Sequence, residues 1–150
     1  MSSIPDLTAH LGYLLRMVSN AVSQEFARKV AREGVTVAEW VMLRALFGRD
    51  AITPTALAGE MGMTKGAISK LAERLLDKGL IERTDNATDK RGHSLSLSPR
   101  GADKVPILAA LADTNDAAFF AVLSGDQRDH LQGVLRDIIG KHGLTVVPVD

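Results

Sequence analysis

The amino-acid sequence predicts a mainly α-helical fold with a small β-wing, and three observations predict it. Apolar residues recur at spacings of three and four over most of the chain, as they do along amphipathic helices. Hydroxyl residues, prolines and glycines punctuate those stretches where helices should begin and end. One short segment, His93-Ser94-Leu95-Ser96-Leu97-Ser98, instead alternates leucine with small polar residues, the period of a strand.

In chain order, Leu7, Leu11, Leu14, Leu15, Val18, Val22, Phe26 and Val30 predict one long helix that Gly34 stops. Thr36 with Glu39 three residues on is a capping box, and Val37, Trp40, Val41, Leu43, Ala45, Leu46 and Phe47 continue a second helix to Gly48. Thr53-Pro54 pairs a capping hydroxyl with a proline at the first helical position, and Leu57, Ala58 and Met61 face inward before Gly62. Thr64 caps a fourth helix, Lys65 to Lys78, closed by Gly79. At 100° per residue Ala67, Ile68, Leu71, Ala72 and Leu75 share one side of it, with Gly66, Ser69, Lys70, Glu73, Arg74 and Asp77 opposite. Leu80 to Arg83, a polar stretch from Thr84 to Gly92, and the alternating segment read as a two-stranded hairpin. Ser98-Pro99 opens a further helix running to Leu123, with a bend or break expected near Pro106. A last amphipathic helix carries Leu131, Val134, Leu135, Ile138 and Ile139, and the apolar tail from Leu144 to Val149 has no helical period.

Composition bounds the function classes. With 150 residues, 45% of them hydrophobic, and 18 basic residues balancing 18 acidic ones, the chain reads as a single domain over residues 1–150. Absence of cysteine excludes disulfides, thiolate metal sites and cysteine redox sensors. The longest apolar run, Ala117 to Leu123, is too short to span a membrane, and Met1-Ser2-Ser3-Ile4-Pro5 is no secretory leader. A cytoplasmic protein with no membrane partner is therefore expected. No Gly-rich phosphate loop, His-Glu-x-x-His or Gly-x-Ser-x-Gly occurs, so no enzyme is expected. His10, His93, His130 and His142 never fall close together, and neither a metal nor another cofactor is expected.

A short helix, a tight turn and a second helix with one polar face form a helix-turn-helix, and the hairpin makes it winged. The B-DNA major groove is about 12 Å wide and admits one α-helix, which must be held out by packing on its other face. Between Thr64 and Gly101 eight basic residues face five acidic ones, a net of +3 that the rest of the neutral chain offsets with −3. The apolar stripes at both chain ends exceed what one small winged module can bury, so they are expected to pair between two copies. The rival from another class is a winged-helix module used for protein association without direct DNA readout.

Thr64-Lys65-Gly66-Ala67-Ile68-Ser69-Lys70-Leu71, then Leu75-x-x-Lys78-Gly79-Leu80-Ile81-x-Arg83, then Asp89-x-Arg91 and Leu95-x-Leu97-Ser98-x-x-Gly101 resembles the MarR family of winged-helix transcriptional regulators. The motifs lie in the central lobe; the flanking helices match by layout. The resemblance implies a winged helix-turn-helix lobe over residues 36–100, flanked by N- and C-terminal dimerisation helices over residues 5–33 and 99–145. It implies a homodimeric, ligand-responsive repressor acting on an inverted-repeat double-stranded DNA operator, its reading helices about 34 Å apart. Thr64, Lys65, Gly66, Ser69, Lys70 and Arg74 become the candidates for base edges or phosphates in the major groove. Arg91, oriented by Asp89 and flanked by Lys90, becomes the minor-groove contact of the wing. Ala87 departs from the proline usual there. A small aromatic or lipophilic acid effector is implied between the dimer helices and the lobe. Tyr13, Arg16 and Met17 on the first helix and Trp40 and Arg44 on the second are its candidate ligands, with core packing the competing role for Trp40 and Met17.

Overall fold

The computed structural model describes residues 3–85 and 92–146. Helices α1 (Leu11–Ala31), α2 (Val37–Leu46), α3 (Pro54–Met61) and α4 (Lys65–Asp77) lead into an antiparallel hairpin of β1 (Ile81–Asp85) and β2 (His93–Leu97), followed by α5 (Pro99–Phe119) and α6 (Gly125–His142). The strands pair from Ile81 with Leu97 to Asp85 with His93. Ile52 adds a single bridge to Leu95, donating its N–H at 3.0 Å and accepting from Leu95 at 2.8 Å, so the wing is tied to the loop before α3.

Local chemistry sets the helix ends. Thr36, Thr53, Thr64, Ser98 and Ser124 each accept a hydrogen bond from a first-turn amide, satisfying one donor that a helix start leaves unpaired. Gly62 ends α3 at φ 65° and Gly79 follows α4 at φ 72°, the left-handed region that glycine enters without penalty.

Every buried hydrophobic residue among those described lies between Val30 and Leu108. Met42, Leu43 and Leu46 of α2, Leu57 of α3, Ile68 and Leu75 of α4, Leu95 of β2 and Leu108 of α5 form the centre of this core. Helix α5 enters it at Gly101, where a Cβ would lie 1.9 Å from the Leu80 carbonyl oxygen. Ser98 Oγ closes the same corner, donating to the Gly79 carbonyl at 2.6 Å and accepting from Gly101 N–H. Beyond the core, α5 crosses α1, joined by buried Asn115, which accepts from Lys29 Nζ at 2.9 Å and donates to the Val22 carbonyl at 3.1 Å.

Three expectations change. The first helix starts at Leu11, because His10 is extended (φ −100°, ψ 127°) and Leu7–Ala9 is only a 3-10 turn. Helix α5 runs through Pro106 without a break; Val105 and Leu108 on either side of that exposed proline are buried and hold its course. The segment Pro99–Val122 is long and apolar enough, by length and composition, to cross a membrane, yet its first turns are core residues of the lobe.

Candidate nucleic-acid interface

Helix α4 is held by its apolar side. Ile68, Leu71, Ala72 and Leu75 are buried, and Thr64, Lys65, Gly66, Ser69, Lys70, Glu73 and Arg74 are exposed. The division follows the sequence reading, with Ala67 at the margin between the two sides. Among the described residues, the side chains of Lys65, Ser69 and Lys70 have no hydrogen-bonding or ionic partner. Thr64 Oγ1 accepts from Ala67 N–H at 3.1 Å, and Lys65 and Gly66, between cap and capped amide, are both exposed. A helix start that offers unpaired N–H groups and the positive end of its dipole attracts anionic oxygens. A Cβ on Gly66 would meet nothing within 4 Å, so close approach is open from outside.

The far end of α4 is bound differently. Glu39 of α2 is fully buried. Its Oε1 accepts from Thr36 N–H at 2.7 Å and from Lys78 Nζ at 2.8 Å, with Arg74 Nη2 at 3.6 Å. Arg74 also donates to Thr36 Oγ1 at 3.1 Å, and Lys78 to the Gly34 carbonyl at 2.8 Å. Burial alone would raise the Glu39 pKa; the Lys78 and Thr36 hydrogen bonds and the charges of Lys78 and Arg74 outweigh it and hold the carboxyl below its ordinary range. One residue before Arg74, Glu73 accepts from Arg83 of β1 at 2.6 Å, fastening the wing to α4.

These ties were not read from the sequence. Glu39 already has a complete local role in the capping box, and nothing local marks a partner 39 positions away at Lys78. Of the wing candidates, Asp89, Lys90 and Arg91 lie outside the described residues, as does Ala87.

The five effector candidates do not converge within one chain. Trp40 is half-buried, stands edge-on to Phe26 with ring centroids 6.5 Å apart, and lines a cavity of about 480 Å³ with Val37, Val41 and Met61. Core packing is thus a role Trp40 does fill. Arg44 is instead exposed, its guanidinium 5.9 Å from the Phe47 ring. Tyr13, Arg16 and Met17 are exposed on the opening turns of α1. Tyr13 precedes Phe26 by 13 residues, about 20 Å along a continuous helix axis. Met17, 52% exposed, is no core residue of a single chain. Among the described residues no group of three or more metal-binding side chains assembles.

Comparison with known proteins points in one direction. Residues 33–92 match the model of the MarR family. A Thauera aromatica protein named as a transcriptional regulatory protein for the hcr operon is 31% identical over 131 residues, covering 87% of this chain and 79% of that one. The multiple antibiotic resistance protein MarR of Salmonella typhimurium is 33% identical over 92 residues, 61% of this chain and 64% of the relative. Among solved structures, a mutant MarR of E. coli complexed with operator DNA superposes with a TM-score of 0.75 at 25% identity, covering 86% of this chain and 93% of that one.

Proposed function

The chain belongs to the MarR family of DNA-binding transcriptional regulators, and from that premise we propose that it acts as a homodimeric, ligand-responsive repressor reading an inverted-repeat operator. The observation that carries this reading is the division of α4, with four buried apolar residues behind Lys65, Ser69 and Lys70, which stand exposed without partners among the described residues. The N-terminal turn of α4 enters the major groove, where Thr64, Lys65, Gly66, Ser69 and Lys70 meet base edges and phosphates. Asp89, Lys90 and Arg91 supply the wing contact in the minor groove.

Dimerisation rests on what the single chain leaves uncovered. Leu11, Leu14, Leu15 and Val18 on α1 and Val134, Ile138 and Ile139 on α6 are 39–78% exposed. Apolar side chains left exposed in such number on the first and last helices mark an association surface rather than a solvated one. A small aromatic or lipophilic acid would act on the dimer, where Tyr13, Arg16 and Met17 of one chain can approach the lobe of the other. The cell compartment consistent with this role is the cytoplasm.

Selection of bound fragments from random duplex DNA tests the proposal. An inverted repeat should emerge with half-sites about one helical turn, roughly 34 Å, apart. On that duplex Lys65→Ala and Lys70→Ala should each weaken binding and flatten the log-affinity against log-salt slope by about 0.9. Failure to enrich any sequence, or slopes untouched by both substitutions, would favour protein association over DNA readout.

A further inference from the structure

Two of the basic side chains nearest the reading helix are turned toward the protein itself. Arg74 and Lys78 lie on the last turn of α4 and just beyond it, and both reach Glu39, a fully buried carboxylate from another helix. Lys65 and Arg74 are nine residues apart, so the anchored end lies about 13 Å along the axis from the exposed N-terminal turn. A rod held at one end transmits any tilt there to its free end, and placement errors near an ångström are enough to lose directed hydrogen bonds.

We infer that Glu39 is a positioning residue for the reading helix, fixing its C-terminal end to the α1–α2 corner, and that Arg74 influences DNA through this anchor rather than by touching the duplex. The inference rests on the assignment of α4 as the DNA-reading helix. Three features of the geometry carry it. Glu39 joins the two elements through a single oxygen, which takes the Thr36 amide of α2 and the Lys78 ammonium of α4 together. Its other oxygen, Oε2, is buried and meets no donor among the described residues; a carboxylate held this way depends on both nearby cations, since a buried charge left short of partners is strongly disfavoured. Arg74 makes a second, independent tie to the same corner through Thr36 Oγ1, and Lys78 a third through the Gly34 carbonyl. Swinging Arg74 out to a phosphate would break its tie to Thr36 and withdraw one of the two cations facing Glu39.

The test measures affinity and salt slope on the duplex recovered by selection, for the full-length protein and its Lys65→Ala, Arg74→Ala, Glu39→Gln and Glu39→Gln/Arg74→Ala variants. Lys65→Ala serves as the phosphate-contact standard, losing about 0.9 of slope. Arg74→Ala is expected to weaken binding about tenfold with the slope unchanged, and to add less than about twofold once Glu39→Gln is present, the non-additivity of residues acting as one unit. A slope reduced by Arg74→Ala as much as by Lys65→Ala, or fully additive losses in the double variant, overturns the inference while leaving the DNA-reading assignment standing. Should Glu39→Gln fail to fold, the slope of Arg74→Ala alone decides between contact and anchor. Absence of binding by the unaltered protein to every duplex removes the DNA-reading assignment and this inference with it.

Discussion

The central lobe and the two chain ends solve the burial problem in different ways. From Val30 to Leu108 the chain covers its own apolar residues, and Met42, Leu43, Leu57, Ile68, Leu75, Leu95 and Leu108 lie at 0% exposure. The first turns of α1 and the whole of α6 do the reverse: α6 buries no residue completely, and Ile138 and Ile139 remain 43% and 46% exposed. Helices of 21 and 18 residues are stable in water mainly through a packed apolar face. The lobe therefore explains its own fold, and the proposed dimer assigns the uncovered faces of the ends to a second copy. Equivalent substitutions in the two regions should accordingly behave differently.

The largest contrast is between Leu43→Ala in the lobe and Ile138→Ala on α6. Leu43 is fully buried, and its truncation should destabilise by about 2–5 kcal/mol, the range for removing a buried leucine with partial collapse of the cavity. That deficit should be the same at every protein concentration. If α6 pairs with a second copy as proposed, the Ile138→Ala deficit should shrink on dilution. Urea melts over a range of concentrations separate the two; a concentration-independent Ile138→Ala effect would mean that the ends are stable without a partner.

Next in size is Gly101→Ala. The new methyl would fall 1.9 Å from the Leu80 carbonyl oxygen, a backbone atom that also accepts from Ser98 N–H at 3.1 Å. Relief requires α5 to lift off the α4–β1 corner, at about 1–3 kcal/mol, as for other overpacked sites. Gly133 on α6 is the control from the ends, since a Cβ there meets nothing within 4 Å. Gly133→Ala should be neutral or slightly stabilising through helix propensity. Loss of stability in that control, read by thermal melting, would show a partner approaching closely at that point.

Much of this division was legible in the sequence because it is written in local chemistry. The caps at Thr36, Thr53, Thr64 and Ser98 and the two sides of α4 depend on residues within a turn of each other, so spacing alone reveals them. The pairing of Leu95 with Arg83 and Ile52 was half legible: the alternating strand shows a hairpin, but the Ile52 bridge joins residues 43 positions apart. What spacing cannot give is height along an axis. Tyr13 and Trp40 both read as candidate effector ligands on consecutive helices, yet α1 is long enough that only its later turns, at Phe26 and Val30, reach the α2 core. The roles of Arg74 and Lys78 were hidden for a related reason. A cation on the polar side of a helix looks free until the partner, here Glu39 of another helix, is placed beside it.

Acid should loosen the lobe through Glu39. Its folded pKa is depressed below the ordinary 4.5 by the Lys78 and Thr36 hydrogen bonds and the Lys78 and Arg74 charges, which together overcome the opposing effect of burial. The sign follows from linkage: the stabilisation is fully present above the unfolded pKa and disappears as pH falls through the depressed folded value. Glu39→Gln removes the titrating group, so the stability gap between the unaltered protein and this variant should narrow as pH drops below the carboxylate range. Urea melts at a series of pH values measure the gap; one that stays constant into acid would mean that Glu39 is not held by its charge.

The smallest expected effect makes the sharpest comparison, because the same chemistry occurs in both regions. Thr64 Oγ1 caps α4 from 3.1 Å and Ser124 Oγ caps α6 from 3.2 Å. Alanine at either position removes one hydrogen bond from a helix start, worth about 1 kcal/mol. In the lobe the loss should appear in full at any concentration, because α4 is packed by Ile68, Leu71, Ala72 and Leu75 of its own chain. On α6 it should appear only while the helix is held by a partner, and hydrogen exchange of the amides in its first turns should speed up on dilution. Equal, dilution-independent losses at both caps would place α6 in the self-sufficient part of the molecule and leave its exposed isoleucines without a physical reason.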